Sequence, residues 1–183
     1  MYSLYDRGTV PQAMQQAFRE KSAYQLFMLQ QGGIKDANVY SHLAQDARRM
    51  GELGIATDFA KTAIQLQPKP HRSTIQATRI LAQAAMANRD FPAAAKHYRE
   101  LLKMQRTTTD MHYLGLSEQN TRHSAEAVQI LQECVQMDPT LFSSYDAMQA
   151  ILASNGREQD AAAIAELSKA IEAAETRAAN PKQ

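Results

Sequence analysis

The chain has 183 residues, a length that suits a single domain. Its 20 Lys and Arg residues nearly balance its 19 Asp and Glu residues, so charge gives no attraction to nucleic acid or to an anionic membrane, and neither is predicted as a partner. One cysteine excludes an internal disulfide and a zinc site built from several cysteines. Trp is absent and Gly numbers only 7, whereas helix-favouring Ala, Gln, Met and Leu are plentiful, so the composition predicts an all-α protein.

Neither a membrane-spanning segment nor a secretory signal is visible in the sequence. No run approaches the roughly 18 apolar residues that a membrane-spanning helix needs. The N-terminal sequence MYSLYDRGTVPQAM lacks a basic start followed by an apolar core. We therefore expect a cytoplasmic protein, although the mature fragment of an exported protein would look the same.

The first predicted element is a helix over residues 10–31, with Pro11 in the first turn, where proline is tolerated. One face carries apolar residues at helical spacing, namely Val10, Met14, Ala17, Tyr24 and Met28. Phe18, Leu26 and Leu29 lie off this face, so residues 23–29 are apolar around most of the circumference. Either residues 1–5 or another chain should cover such a segment. The predicted oligomer or partner surface consists of Tyr24, Leu26, Phe27, Met28 and Leu29.

The rest of the chain repeats a two-helix pattern. The second halves of the units contain AKTAIQLQP (60–68), AAKHYRELLKMQR (94–106), LQECVQMDP (131–139) and AAAIAELSKAI (161–171). Their opening alanines, Ala56, Ala94, Ala127 and Ala161, are 38, 33 and 34 residues apart. The first halves contain YSHLA, TRILA, MHYLG and YDAMQ, and the Leu or Met of each lies 13 residues before its alanine. Four matches in phase predict four units.

This pattern resembles the tetratricopeptide repeat (TPR) over roughly residues 37–173. The resemblance implies an all-α, right-handed α-solenoid of about four helix-turn-helix units, with an extra N-terminal helix and an extended C-terminal capping helix. The predicted single domain spans residues 1–183. It divides into an N-terminal segment and helix (1–36), the repeats (37–173), and the end of the capping helix with the tail (174–183).

Three departures from the TPR pattern are visible. Extra residues around 69–72 predict a longer turn, Arg106 stands where proline is usual, and Glu118 occupies a position that normally holds a large aromatic or aliphatic side chain. The predicted last helix, over residues 157–178, carries a narrow apolar stripe of Ile164, Leu167 and Ile171.

No motif in the sequence supports catalysis. The histidines show neither H-x3-H nor H-E-x-x-H spacing, and nucleophile-elbow and phosphate-binding glycine motifs are missing. We therefore predict no enzyme activity, no catalytic residues, no cofactor and no metal. Cys134 occupies a position for a small buried residue, which favours a packing role over a reactive thiol.

TPR arrays present a concave groove lined by the first helix of each unit. The resemblance therefore implies a non-catalytic scaffold or adaptor that binds a partner peptide or helix there. In phase with the repeat, the predicted groove residues are Asn38, Ser41, Gln45, Arg48, Gln76, Arg79, Gln83, Thr109, His112 and Leu116, followed by Ser143, Asp146 and Ala150. Amides can hold a peptide backbone, and the two arginines favour a mildly acidic partner.

Three other functions stay open. One is an isolated sensor module from a regulator, since such arrays often accompany a DNA-binding domain, although none is visible in this sequence. The N-terminal helix could make the protein a homo-oligomeric assembly scaffold. Small bacterial chaperones of the type III secretion class also join an N-terminal helix to about three such repeats, so a chaperone of that kind is a further alternative.

Overall fold

The computed structural model describes residues 12–14, 16–21, 32–33 and 35–179. All regular secondary structure in these ranges is helical, which confirms the predicted all-α class. Residues 12–14 and 16–21 are helical and lie within the predicted first helix. Eight helices follow in the range 35–179: α1 (Ala37–Arg49), α2 (Leu53–Leu66), α3 (Arg72–Ala87), α4 (Phe91–Met104), α5 (Thr108–Asn120), α6 (Ser124–Met137), α7 (Phe142–Ser154) and α8 (Glu158–Ala179). No helix in the described part of the chain has both the length and the apolar character needed to cross a membrane.

The helices form consecutive antiparallel pairs, α1/α2, α3/α4, α5/α6 and α7/α8, as the repeat pattern predicts. The odd-numbered helices are the first helices of the pairs and the even-numbered ones are the second. The chain divides into two compact units, unit 1 (Met1–Gln105) with α1–α4 and unit 2 (Arg106–Gln183) with α5–α8. The single domain over residues 1–183 stays a prediction.

Side-chain caps determine where several helices begin. The capping side chains Asp36, His71, Asp90 and Thr107 accept a hydrogen bond from a backbone N–H in the first turn of α1, α3, α4 and α5. The longer turn predicted around residues 69–72 is held by Thr74, whose hydroxyl donates to the carbonyl oxygens of Gln67 (2.6 Å) and Lys69 (3.0 Å). Arg106, at the usual proline position, forms an ion pair with Glu133 at 2.6 Å.

The same turn joins the two helices in every pair. Its left-handed residues are Gly51, Arg89, Arg122 and Gly156, with φ of 79°, 58°, 66° and 73°. In each turn the next residue donates its N–H to the carbonyl five residues earlier, at 2.9–3.0 Å, which is the Schellman arrangement. Each left-handed residue precedes the repeated alanine by five positions, so this turn recurs in phase with the sequence repeat.

The core of unit 1 combines alanines with a few large side chains. Ala44, Ala56, Ala60 and Ala63 have no exposed surface, so the backbones of α1, α2 and α3 approach closely. Tyr40 and Phe59 fill the remaining volume, with their ring centroids 6.2 Å apart and the rings inclined by 54°. The repeated alanines are thus buried close-approach positions, as predicted.

The N-terminal helical residues contact the rest of unit 1 through a face that differs from the predicted one. Phe18, predicted to lie off the apolar face, packs against the core of unit 1, and Arg19 pairs with Glu52 at 2.9 Å. Met14 and Ala17, predicted to lie on that face, are exposed. The prediction was wrong at these positions, because the large aromatic side chain of Phe18 packs against the core whereas Met14 and Ala17 do not.

The core of unit 2 is formed by α5–α8, and α5 approaches α6 closely at Gly115. A Cβ atom at Gly115 would lie 2.7 Å from Cγ of Leu131, a side chain that is fully buried. Cys134 is also fully buried, and burial raises the pKa of its thiol, which fits the predicted packing role. In α8, Ile164 and Ile171 pack against the core.

Leu167 departs from the predicted α8 stripe, because its side chain is 49% exposed. The packed side of α8 follows Ala161, Ile164, Ser168 and Ile171, whereas Leu167 lies toward the outer side. Leu167 lies six residues from the buried Ala161, which is about 120° around the helix, and no described helix covers it there.

Candidate partner-binding surface

The predicted groove residues of unit 1 lie on two first helices that contact one another, α1 and α3. We define the unit 1 surface as the following six residues: Asn38, Gln45 and Arg48 on α1, and Gln76, Arg79 and Gln83 on α3. Asn38 is exposed and the other five are half-buried. Long polar side chains in half-buried positions keep their heads in water while their stems pack on the helix, so their donors and acceptors can contact a partner.

Ser41, also predicted for the groove, is instead 5% exposed. It lies on the same side of α1 as Ala37 and Ala44, which are both buried, and its small side chain leaves it below the surface. The repeat pattern predicts which way a side chain points, but not whether larger neighbouring side chains shield it from solvent. We therefore leave Ser41 out of the unit 1 surface.

Positive charge on the unit 1 surface comes from Arg48 and Arg79. Arg48 forms no ion pair with the described residues, whereas its exposed neighbour Arg49 approaches Asp46 at 3.8 Å. A guanidinium can bind a carboxylate through two parallel hydrogen bonds. The amides of Gln45, Gln76 and Gln83 add donors and acceptors that match a peptide backbone.

The predicted groove residues of unit 2 separate into exposed and buried ones. Thr109 is exposed and Leu116 is half-buried on α5, and Ser143, Asp146 and Ala150 are exposed on α7. His112, in contrast, is only 9% exposed. It is therefore a packed residue, and the prediction that it lines a binding surface was wrong.

His112 belongs to a buried polar network. Its Nδ1 lies 2.9 Å from the hydroxyl of Ser144, and that hydroxyl lies 3.6 Å from the Cys134 sulfur. The Cys134 thiol donates to the carbonyl oxygen of Thr108 at 3.1 Å. The network joins α5, α6 and α7. The repeat pattern does not predict this network, because Ser144 directly precedes the first-helix aromatic Tyr145 and is not distinguished from a surface serine.

Acid should weaken the folded state through His112. Burial lowers the pKa of this imidazole below its ordinary value of 6.5, so the unfolded chain takes up the proton at a higher pH than the folded chain does. The free energy of unfolding therefore falls as the pH drops through and below about 6.5. Urea unfolding at about pH 7.5 and pH 5 should show a larger loss of stability in the native chain than in His112→Gln. An equal loss in both would contradict this assignment.

Comparison with known proteins identifies the fold. No protein-family model matches the chain, and no curated protein sequence matches it significantly. The crystal structure of MamA is similar with a TM-score of 0.75 at 13% identity, covering 90% of this chain and 94% of that one. MamA from Desulfovibrio magneticus RS-1, from residue 41 to its end, gives 0.71 at 12% identity, covering 87% and 96%.

A third solved structure, YrrB, is described as a TPR protein with an unusual peptide-binding site. It is similar with a TM-score of 0.65 at 17% identity, covering 78% of this chain and 72% of that one. Identities this low carry information about the fold alone. Together with the repeat period, the paired helices and the recurring turn, they show that this chain has the fold of a tetratricopeptide-repeat solenoid.

Proposed function

We propose that the protein is a non-catalytic scaffold whose unit 1 surface binds an extended, mildly acidic segment of another protein. The proposal rests on the contact between the first helices α1 and α3. This contact brings two arginines and three glutamines, all half-buried, close to one another. Amide groups suit the backbone of an extended peptide, and guanidinium groups suit its carboxylates. The peptide-binding site described for YrrB, a protein of similar fold, is consistent with this use.

The alternatives have less support. Self-association through Tyr24 and residues 26–29 stays a prediction, because these positions lie outside the described residues. Among the described N-terminal residues, Phe18 and Arg19 contact other parts of their own chain, and these are the contacts observed between this segment and the rest of the chain within the described residues. No specific observation supports a role as a type III secretion-type chaperone.

The test is selection and measured binding of peptides. A phage-displayed library of random peptides selected on the full-length chain should become enriched in Asp and Glu. Binding of an enriched synthetic peptide, followed by fluorescence anisotropy, should weaken at least about tenfold in Arg48→Glu/Arg79→Glu, because attraction becomes repulsion at both positions. The affinity of the native chain should also fall with added salt.

The matched control reverses the same amount of charge elsewhere in unit 1. Lys61 on α2 and Lys96 on α4 are exposed residues of second helices. Lys61→Glu/Lys96→Glu should change the affinity less than about twofold, since exposed charges far from a ligand are largely screened. Equal binding by the two double variants would rule out the unit 1 surface as the site. Failure to enrich any peptide would count against the scaffold function itself.

A further inference from the structure

Three side chains that can bind metal ions converge where α5 ends and α6 begins. Glu118 lies in the last turn of α5, His123 directly precedes α6, and Glu126 lies in the first turn of α6. One ligand atom from each side chain lies within 4.8 Å of the other two. The spacing E-x4-H-x2-E crosses a turn, so a search for metal-binding spacings along one helix does not find it.

The backbone of the connecting turn is fixed independently of any ion. Thr121 donates its N–H to the carbonyl of Ser117 at 3.2 Å, and His123 donates its N–H to the carbonyl of Glu118 at 3.0 Å. Arg122 takes the left-handed conformation of the recurring turn. The Cα positions of Glu118, His123 and Glu126 are thus set by the fold, and little ordering is needed to bring their side chains together.

The geometry of Glu118 and His123 is close to that of two ligands on one ion. The Glu118 carboxylate is 1% exposed, and its Oε2 lies 2.9 Å from Nδ1 of His123 and 3.4 Å from the Thr121 hydroxyl. Two donor atoms about 2.0–2.1 Å from a tetrahedral zinc ion lie roughly 3.3 Å apart. Glu126 is exposed, and its ligand oxygen lies within 4.8 Å of those two ligand atoms.

We propose that Glu118, His123 and Glu126 form a binding site for a divalent transition-metal ion of the zinc class. One imidazole and two carboxylates suit such an ion, whereas Ca²⁺ and Mg²⁺ require a fuller set of oxygen ligands. The bound ion takes the place of the hydrogen bond between His123 and Glu118. It links the end of α5 to the start of α6 and stabilises that helix pair.

The test is calorimetric titration of the full-length chain, without a histidine tag, with ZnCl₂ and in parallel with MgCl₂. The native chain should bind one Zn²⁺ and show no comparable heat with Mg²⁺. His123→Asn and Glu126→Gln should each weaken Zn²⁺ binding at least about tenfold, because each removes one of three ligands. Both side chains are exposed, and asparagine is itself a favourable capping residue before a helix, so neither change should unfold the chain.

The matched control is His97→Asn. His97 also approaches a glutamate, with its Nδ1 3.4 Å from Oε2 of Glu100, but it belongs to no group of three ligands among the described residues. Its replacement should leave Zn²⁺ affinity within about twofold of the native value. Zn²⁺ should also raise the melting temperature of the native chain and of His97→Asn but not that of His123→Asn. Absent binding by the native chain, undiminished binding by His123→Asn, or an equal loss in His97→Asn would each overturn the proposal.

Discussion

Gly115→Ala and Leu131→Ala, each destabilising alone, should compensate one another in part when combined. Leu131→Ala removes a fully buried side chain and should lower the free energy of unfolding by about 2–5 kcal/mol. Gly115→Ala places a Cβ atom 2.7 Å from Cγ of Leu131, and this atom cannot swing aside like the end of a long side chain. Overpacking of this kind costs about 1–3 kcal/mol, which exceeds the gain of roughly 1 kcal/mol in helix propensity.

In the double variant the added methyl group enters the space that Leu131 has vacated. The combined loss should therefore be smaller than the sum of the two single losses by about 0.5–3 kcal/mol. Guanidinium unfolding of the native chain and the three variants, followed by circular dichroism, gives this coupling energy. Gly54→Ala is the matched control, because a Cβ atom there has no neighbour within 4 Å. Additive losses, or a Gly115→Ala chain as stable as the Gly54→Ala chain, would contradict the close contact.

The repeat could be predicted from the sequence because each unit places the same demands on the same positions. Ala56, Ala94, Ala127 and Ala161 are all buried where two helices approach closely, so a side chain larger than a methyl group is excluded there in every unit. The turn was harder to predict. Glycine marks it at Gly51 and Gly156, but Arg89 and Arg122 adopt the same left-handed conformation, which their residue type does not indicate.

The outward side of each first helix could be predicted from the sequence, but the exposure of each side chain on it could not. Helical phase predicted an outward side for α1, α3 and α5, and Asn38 and Thr109 on that side are exposed. It could not show that Ser41 is shielded or that His112 meets Ser144 across helices, because such contacts depend on residues far away in the chain. The sequence marked Glu118 only as a departure from the pattern, and its approach to His123 required the geometry of the turn.

Phe59→Ala should produce a large and local loss of stability in unit 1. Phe59 is 3% exposed and packs against Tyr40, so its truncation should cost about 3–5 kcal/mol. In repeat proteins stability is approximately a sum of the units and their nearest-neighbour contacts. Hydrogen exchange should therefore show the greatest loss of amide protection in α1–α3, with α7 and α8 much less affected.

The corresponding core truncation in unit 2 is Met148→Ala, at a position that is 1% exposed. It should cost about 2–5 kcal/mol and reverse the pattern, removing protection mainly from α6–α8. If instead each variant reduces protection equally throughout α1–α8, the whole described array unfolds in one cooperative step. That outcome would favour the single domain predicted over residues 1–183, whereas reciprocal local losses would mean that unit 1 and unit 2 are separately stabilised by their own cores.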